Sequence, residues 1–246
     1  MGYTILSILY LLLFALLTLI MMPLTWIVRK CDLMRGDRMA LGFVQWGFRC
    51  VVCTTGMKLK VHGIENIPKN RAVLYVGNHR SIFDIVVSYG KVPDRTGFIG
   101  KEELSKIPVV SPWMRRIYCL FLPREDMKKS LQVILTATDQ LKQGISMAIF
   151  PEGTRNKTEE LLQPFKNGAF KPAEKAGAPI LPMAVSYDGP VLETSFPHLK
   201  RMNVVLRFGE LIETEGLSRE DKKEIPKKSF DAVKNLLIEN EKELGH

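Results

Sequence analysis

Ala72-Val73-Leu74-Tyr75-Val76-Gly77-Asn78-His79-Arg80-Ser81-Ile82-Phe83-Asp84 is the stretch on which the reading of this chain turns. An apolar run empties into a glycine and a short polar segment, and a second apolar run, 82–89, starts directly behind Ser81. A strand followed by a loop and a helix is half of a βαβ unit. Ser81-x-x-Asp84 fits a capping box with Ser81 as N-cap. His79 and Asp84 would point roughly 140° apart on one continuous helix. They can meet only where His79 precedes the helix and Asp84 lies in its first turn. Spacing alone leaves two readings open. Asp84 is a capping acid beside a loop histidine, or it fixes the tautomer of an imidazole whose other nitrogen takes a proton from a hydroxyl. The second is general-base catalysis, worth about 10²–10⁴-fold. Ser81 lacks the glycine pattern of a nucleophile elbow and is not expected to act covalently.

Outward from this stretch, short apolar runs alternate with helical patterns. Strands are expected at 59–62, 72–76, 117–122, 147–150, 180–186 and 204–208, and helices at 82–89, 128–142, 168–176 and 227–243. This alternation predicts an α/β domain over 58–246: a mixed, largely parallel sheet flanked by helices.

The first 57 residues read differently, as a helical pair that anchors the domain to a membrane. Residues 1–28 contain no Asp, Glu, Lys, Arg or His. As a helix they reach ~40 Å at ~1.5 Å per residue, against ~30 Å of bilayer hydrocarbon. Leu11 to Leu17 are apolar on every side, unlike an amphipathic surface helix. Neither a positive leading region nor a small-residue cleavage site is present, so the segment is expected to be retained. Arg29, Lys30, Arg35 and Arg38 outweigh Asp32 and Asp37, which places the downstream side in the cytoplasm, at the cell membrane. Pro23 can kink the run, so spanning and monotopic insertion both stay open. The stretch 39–57 is either a core helix or a second membrane-associated helix. Cys50-x-x-Cys53 has no second ligand pair, and no metal site is expected.

A second constellation, Phe150-Pro151-Glu152-Gly153-Thr154-Arg155, follows the expected strand 147–150. Gly153 lets backbone approach an anion, Thr154 offers a hydroxyl, and Arg155 a fork matched to phosphate. Glu152 beside a phosphate would repel it, so its expected role is to hold an arginine in place. A surface turn with a solvated charge pair is the plain alternative. Arg124, Lys101 and Lys166 are cations that could converge on the same pocket, although each alone reads as solvated.

These residues together resemble the glycerolipid acyltransferase family. Its blocks occur in order: His79 to Asp84, Phe121-Leu122-Pro123-Arg124, the unbroken Phe150 to Arg155, and Pro179-Ile180-Leu181-Pro182-Met183. Lys101-Glu102-Glu103-Leu104 and Phe165-Lys166-Asn167-Gly168-Ala169-Phe170 resemble two further elements of the family. Tyr118 and Cys119 stand in a stretch where the second block often carries glycine, and Asn156 stands where serine is common. The resemblance implies a glycerol-3-phosphate acyltransferase-like fold and acyl transfer to the sn-2 hydroxyl of 1-acyl-sn-glycerol-3-phosphate (lysophosphatidic acid). The product would be phosphatidic acid, in phospholipid biosynthesis. It implies His79 as base, Asp84 as its orienting acid, and Arg155, Glu152, Gly153 and Thr154 at the phosphate, with Arg124 assisting. Lys101, Lys166 and Pro182 are further candidate contacts. The implied co-substrate is acyl-CoA or an acylated acyl carrier protein, with no metal or redox cofactor. Other acceptors stay open, namely glycerol-3-phosphate or another lysophospholipid.

Composition agrees with a folded enzyme on an anionic surface. The chain has 246 residues, 46% hydrophobic and 25% charged, which excludes a disordered class. Its 35 Lys+Arg against 26 Asp+Glu leave a net charge of +9, favouring an anionic leaflet, an acidic protein or phosphorylated substrates. A non-catalytic, membrane-tethered basic binding module is the remote alternative. Basic and aromatic residues are not interleaved as a nucleic-acid stacking platform would need, so no nucleic-acid partner is expected. Four cysteines make no disulfide framework, and a reducing compartment follows.

Overall fold

The computed structural model describes every residue except Met1, Asp94, Arg124, Phe196, Pro197 and His246. The sheet has seven strands: β1 (Met57–His62), β2 (Leu74–Gly77), β3 (Thr96–Lys101), β4 (Leu120–Leu122), β5 (Ser146–Ile149), β6 (Ile180–Tyr187) and β7 (Met202–Phe208). Their spatial order is β1-β7-β6-β2-β5-β3-β4. All neighbours are parallel except β6 and β7. The carboxyl ends of β2, β3, β4, β5 and β6 therefore share one edge of the sheet, and ligands of open α/β sheets bind at such an edge.

Both faces of the sheet are covered, which is why its strands read as continuous apolar runs. On β2, Tyr75 turns to one face, together with Phe83 and Val87 of α3 (Ile82–Tyr89) and Trp113 of α4 (Val110–Arg116). Leu74 and Val76 turn to the other, with Ala137 and Leu141 of α5 (Met127–Lys142), Ala173 of α6 (Lys171–Ala176) and Val233 of α8 (Arg219–Leu244). Each fully buried aliphatic or aromatic side chain here contributes about 1.5–3 kcal/mol. Pattern alone anticipates neither β3 nor α4. β3 carries two glycines, and the chain between β3 and β4 forms α4 before Tyr118 turns it at a φ of 65°. The last helix starts at Arg219 rather than 227, running through Pro226 near its amino end.

Ahead of the sheet, α1 (Gly2–Cys31) and α2 (Leu33–Thr54) form an antiparallel hairpin. Asp32 is the N-cap of α2 and accepts from Arg35 N at 3.0 Å, so the helix begins earlier than its apolar run. A Cβ on Gly47 would lie 2.5 Å from the Phe14 ring. The absence of one lets the helices approach and Phe14 stack on Phe43, 4.8 Å between centroids. Ala40, Leu41, Phe43 and Val44 of α2 join the α3/α4 side of the core, as the core-helix reading requires for that face. α1 is apolar outward: Leu9, Leu12, Leu16, Leu19 and Ile20 are exposed, whereas Thr4, Ser7, Thr18 and Thr25 are its buried residues. The Thr18 and Thr25 hydroxyls are satisfied locally, donating to the Ala15 and Met22 carbonyls. By length and composition α1 can cross a membrane.

Candidate active site

β2 ends at Gly77, and the next residue ties the loop down. The Asn78 amide donates to the Val185 carbonyl and accepts from the Val185 N–H, both at 2.9 Å, so a side chain continues the β2–β6 ladder. Ser81 then turns extended (φ −144°, ψ 162°) and caps α3, accepting from Phe83 N at 3.2 Å. Asp84 completes the capping box by accepting from Ser81 N at 2.8 Å. This geometry puts His79 in front of the helix and Asp84 in its first turn. His79 Nδ1 lies 3.0 Å from Asp84 Oδ2. The capping acid and the partner of the imidazole are one residue doing both. Asp84 is fully buried, and Arg80 N (2.7 Å) and the Tyr187 hydroxyl (2.6 Å) also donate to it. An ionised carboxylate only accepts, so a neutral His79 imidazole turns Nδ1–H to Asp84 and leaves Nε2 as the acceptor. The ring is stacked on Phe150, 4.4 Å between centroids at 12°.

Phe150 opens the second loop. Gly153 takes a φ of 73°, with its N–H donating to the Phe150 carbonyl at 3.0 Å; this is left-handed backbone, which glycine adopts without strain. A side chain there would also strike Lys166, because a Cβ would stand 2.8 Å from Lys166 Nζ. The Lys166 ammonium thus lies over the loop. Asn156 N donates to the His79 carbonyl at 2.6 Å, joining the two loops by backbone.

Among the described residues Glu152 holds no arginine, contrary to expectation. Its carboxylate is buried and accepts from two backbone N–H groups, His79 at 2.6 Å and Gln163 at 3.1 Å, fastening the histidine loop to its neighbour. Burial pushes its pKa up, against the lowering effect of those two bonds. The carboxylate that holds Arg155 belongs to Glu193, on the four-residue helix α7 (Leu192–Ser195), at 3.1 Å. Glu193 also accepts from Ile82 N at 2.8 Å and from the Ser81 hydroxyl at 2.7 Å, so it seats at the amino end of α3. Burial raises its pKa, but these donors and the Arg155 charge outweigh that and leave it below the ordinary value.

The remaining candidates divide. Thr154 is exposed on the Gly153 loop, and Lys101, at the carboxyl end of β3, is exposed beside Leu122 on the same edge of the sheet. Arg124 lies outside the described residues. Pro182 is buried within β6, level with Val76, its ring near Gly209. Its place is in the sheet, because β6 is a central strand. A cavity of about 540 Å³ adjoins the loops, with Arg80, Arg155 and Lys157 at its polar side and Leu161, Val185 and Leu237 at its apolar side. Tyr187 and Glu193 also line it. These two and Arg80 were not singled out by motif. Tyr187 and Glu193 reach the dyad and its helix cap from more than a hundred residues away, and no spacing rule connects them.

A family model described as acyltransferase matches residues 58–186. The chain is 28% identical over 193 residues to a 1-acyl-sn-glycerol-3-phosphate acyltransferase of Saccharomyces cerevisiae, covering 78% of this chain and 62% of that protein. It is 34% identical over 140 residues to the chloroplastic 1-acyl-sn-glycerol-3-phosphate acyltransferase BAT2 of Brassica napus, covering 56% and 40%. The chain thus spans less than two thirds of the length of either relative. Among solved structures, the 1-acyl-sn-glycerophosphate acyltransferase PlsC of Thermotoga maritima superposes with a TM-score of 0.76 at 28% identity, covering 97% of this chain and 96% of that one.

Proposed function

The chain belongs to the acyltransferase family, and from that premise we propose that it moves an acyl group from a thioester onto the sn-2 hydroxyl of 1-acyl-sn-glycerol-3-phosphate, making phosphatidate for phospholipid synthesis. The observation that carries this reading is the His79–Asp84 pair at 3.0 Å, bonded through its own backbone to the loop that bears Arg155. Asp84 fixes the imidazole with Nδ1–H toward itself. Nε2 takes the proton of the acceptor hydroxyl as the oxygen attacks the thioester carbonyl. The tetrahedral intermediate collapses with cleavage of the C–S bond, and the leaving thiolate takes the proton back from Nε2. Atoms and charge balance without a cofactor, and the protein forms no covalent intermediate. Arg155 of the Gly153 loop and Lys166, which lies over it, receive the acceptor's phosphate, with Lys101 from the same edge and Thr154 as an additional donor; Arg124 is assigned an assisting role from its place in the sequence.

The acceptor is a lipid, which gives the hairpin its purpose. In this reading α1 inserts into the membrane by its leucine face, and the Arg29 and Lys30 end stays on the cytoplasmic side with the α/β domain. The donor is a water-borne thioester, acyl-CoA or an acylated acyl carrier protein. The test is phosphatidate formation by purified protein from lysophosphatidate with each donor in parallel. Product with one donor supports the reading and names the thioester. Absence of product with both, and turnover instead with glycerol-3-phosphate or another lysophospholipid, would replace the acceptor.

A further inference from the structure

Asp84 is reached by a donor that belongs to neither sequence block. His79 Nδ1, Arg80 N and Ser81 N all gather on Oδ2, at 3.0, 2.7 and 2.8 Å. Tyr187, the last residue of β6, donates to Oδ1 at 2.6 Å. The terminal torsion of aspartate is broad and twofold, so no rotamer well sets the rotation of the carboxylate. Three donors on one oxygen leave the other to be anchored, and the anchor is this phenol. We propose that Tyr187 is a positioning residue for acyl transfer: its hydroxyl fixes the rotation of the Asp84 carboxylate so that Oδ2 faces His79 Nδ1, and it moderates the pull of that carboxylate on the imidazole. The proposal rests on the reading of His79 as the base.

The surroundings suit a constant donor. Burial, then the Asp84 charge, push the Tyr187 phenol well above its ordinary range, so it keeps its proton wherever the enzyme works. Asp84 and Glu193 are the charges facing the hydroxyl, and Glu152 holds the His79 N–H. Arg80, Arg155, Lys157 and Glu241 line the cavity of which Tyr187 is one wall. The same side chain therefore lines the cavity and bonds the acid behind the base.

Tyr187→Phe removes one oxygen and keeps the ring. A carboxylate that loses a donor holds its charge less dispersed and binds an imidazolium more tightly. The acidic limb of the pH–rate profile should then move to higher pH by about half a unit, with kcat down roughly 3–10-fold and the acceptor KM unchanged. The downfield Nδ1 proton of His79 should shift in the NMR spectrum of the same protein. Site-specific 3-fluorotyrosine at position 187, a stronger donor of nearly the same shape, should move the acidic limb the opposite way. An unmoved Nδ1 proton and acidic limb in Tyr187→Phe would overturn the proposal, as would an activity loss that merely follows a lowered melting temperature. Wild-type protein that transfers no acyl group would remove the underlying reading instead, whatever the Nδ1 proton does.

Discussion

The carboxyl edge of the sheet and the outer face of α1 break the ordinary division of polar and apolar residues in opposite directions. At the edge a carboxylate, Asp84, is completely buried, and it is tolerated because four donors surround it. On α1 leucines are turned out, Leu12 at 60% and Leu16 at 63% exposure, and threonines in. The first region satisfies its polar atoms within the protein. The second leaves its apolar surface to be satisfied by something else, which in the proposed reading is lipid. The lesson concerns robustness: the edge depends on single atoms, whereas the hairpin depends on a summed surface.

Experiments that move one region and not the other test that contrast. The largest effect is expected from Leu12→Lys combined with Leu16→Lys, since each lysine near the middle of a spanning helix costs roughly 3 kcal/mol. The variant should stay in the soluble fraction of a vesicle-flotation assay and still turn over a water-soluble short-chain acceptor. Flotation like the wild type would mean that α1 is not the anchor. Next, His79→Ala should lower turnover by about 10²–10⁴-fold while floating normally; full turnover would dismiss the base. Arg155→Ala should raise the acceptor KM by about 10–100-fold, the worth of one charge-assisted bond, with a smaller effect on the donor KM. A defect confined to the donor would move Arg155 to the other substrate.

The smallest expected effect is a dependence of stability on pH. Glu193 has a folded pKa below the ordinary 4.5. Its contribution is therefore complete above that value and is lost as pH falls through the lower folded one. Glu152 has the opposite sign: its pKa is raised, so folding is penalised as pH rises through the window just above 4.5. Urea unfolding of Glu193→Gln should show a shallower fall in stability below about pH 4.5 than the wild type does. An identical fall would mean that the Glu193 contacts at Arg155 and α3 add nothing to the fold.

Local rules reached as far as local causes do. The bounds of α3 follow from Ser81 and the apolar run after it, and the structure places the helix at Ile82–Tyr89. The His79–Asp84 meeting follows from the same cap. β3 escaped notice because Thr96-Gly97-Phe98-Ile99-Gly100-Lys101 has neither alternation nor a β-branched run. Gly97 is explained only in three dimensions: a Cβ there would stand 2.1 Å from the Tyr118 carbonyl oxygen. The first turns of α8 were obscured by their charge and by Pro226. An acid beside a phosphate seat points by charge alone to an arginine partner for Glu152. Its actual partners are backbone groups that composition cannot reveal, and the arginine's acid, Glu193, arrives from a remote loop.

One feature of the sheet bears on how the chain is assembled. β1 leaves the hairpin and, among the described residues, pairs with β7 alone, Met57 beside Met202 and His62 beside Arg207. On a ribosome that adds ~5–20 residues per second, the partner strand emerges roughly 7–30 s after β1. Throughout that interval the chain carries an unpaired strand behind a hairpin whose first helix turns leucines outward, a combination prone to associate with other nascent chains. If α1 enters a bilayer as it is made, the waiting strand is held at a surface and kept from its neighbours. The anchor then guards the unfinished protein before it serves the finished one.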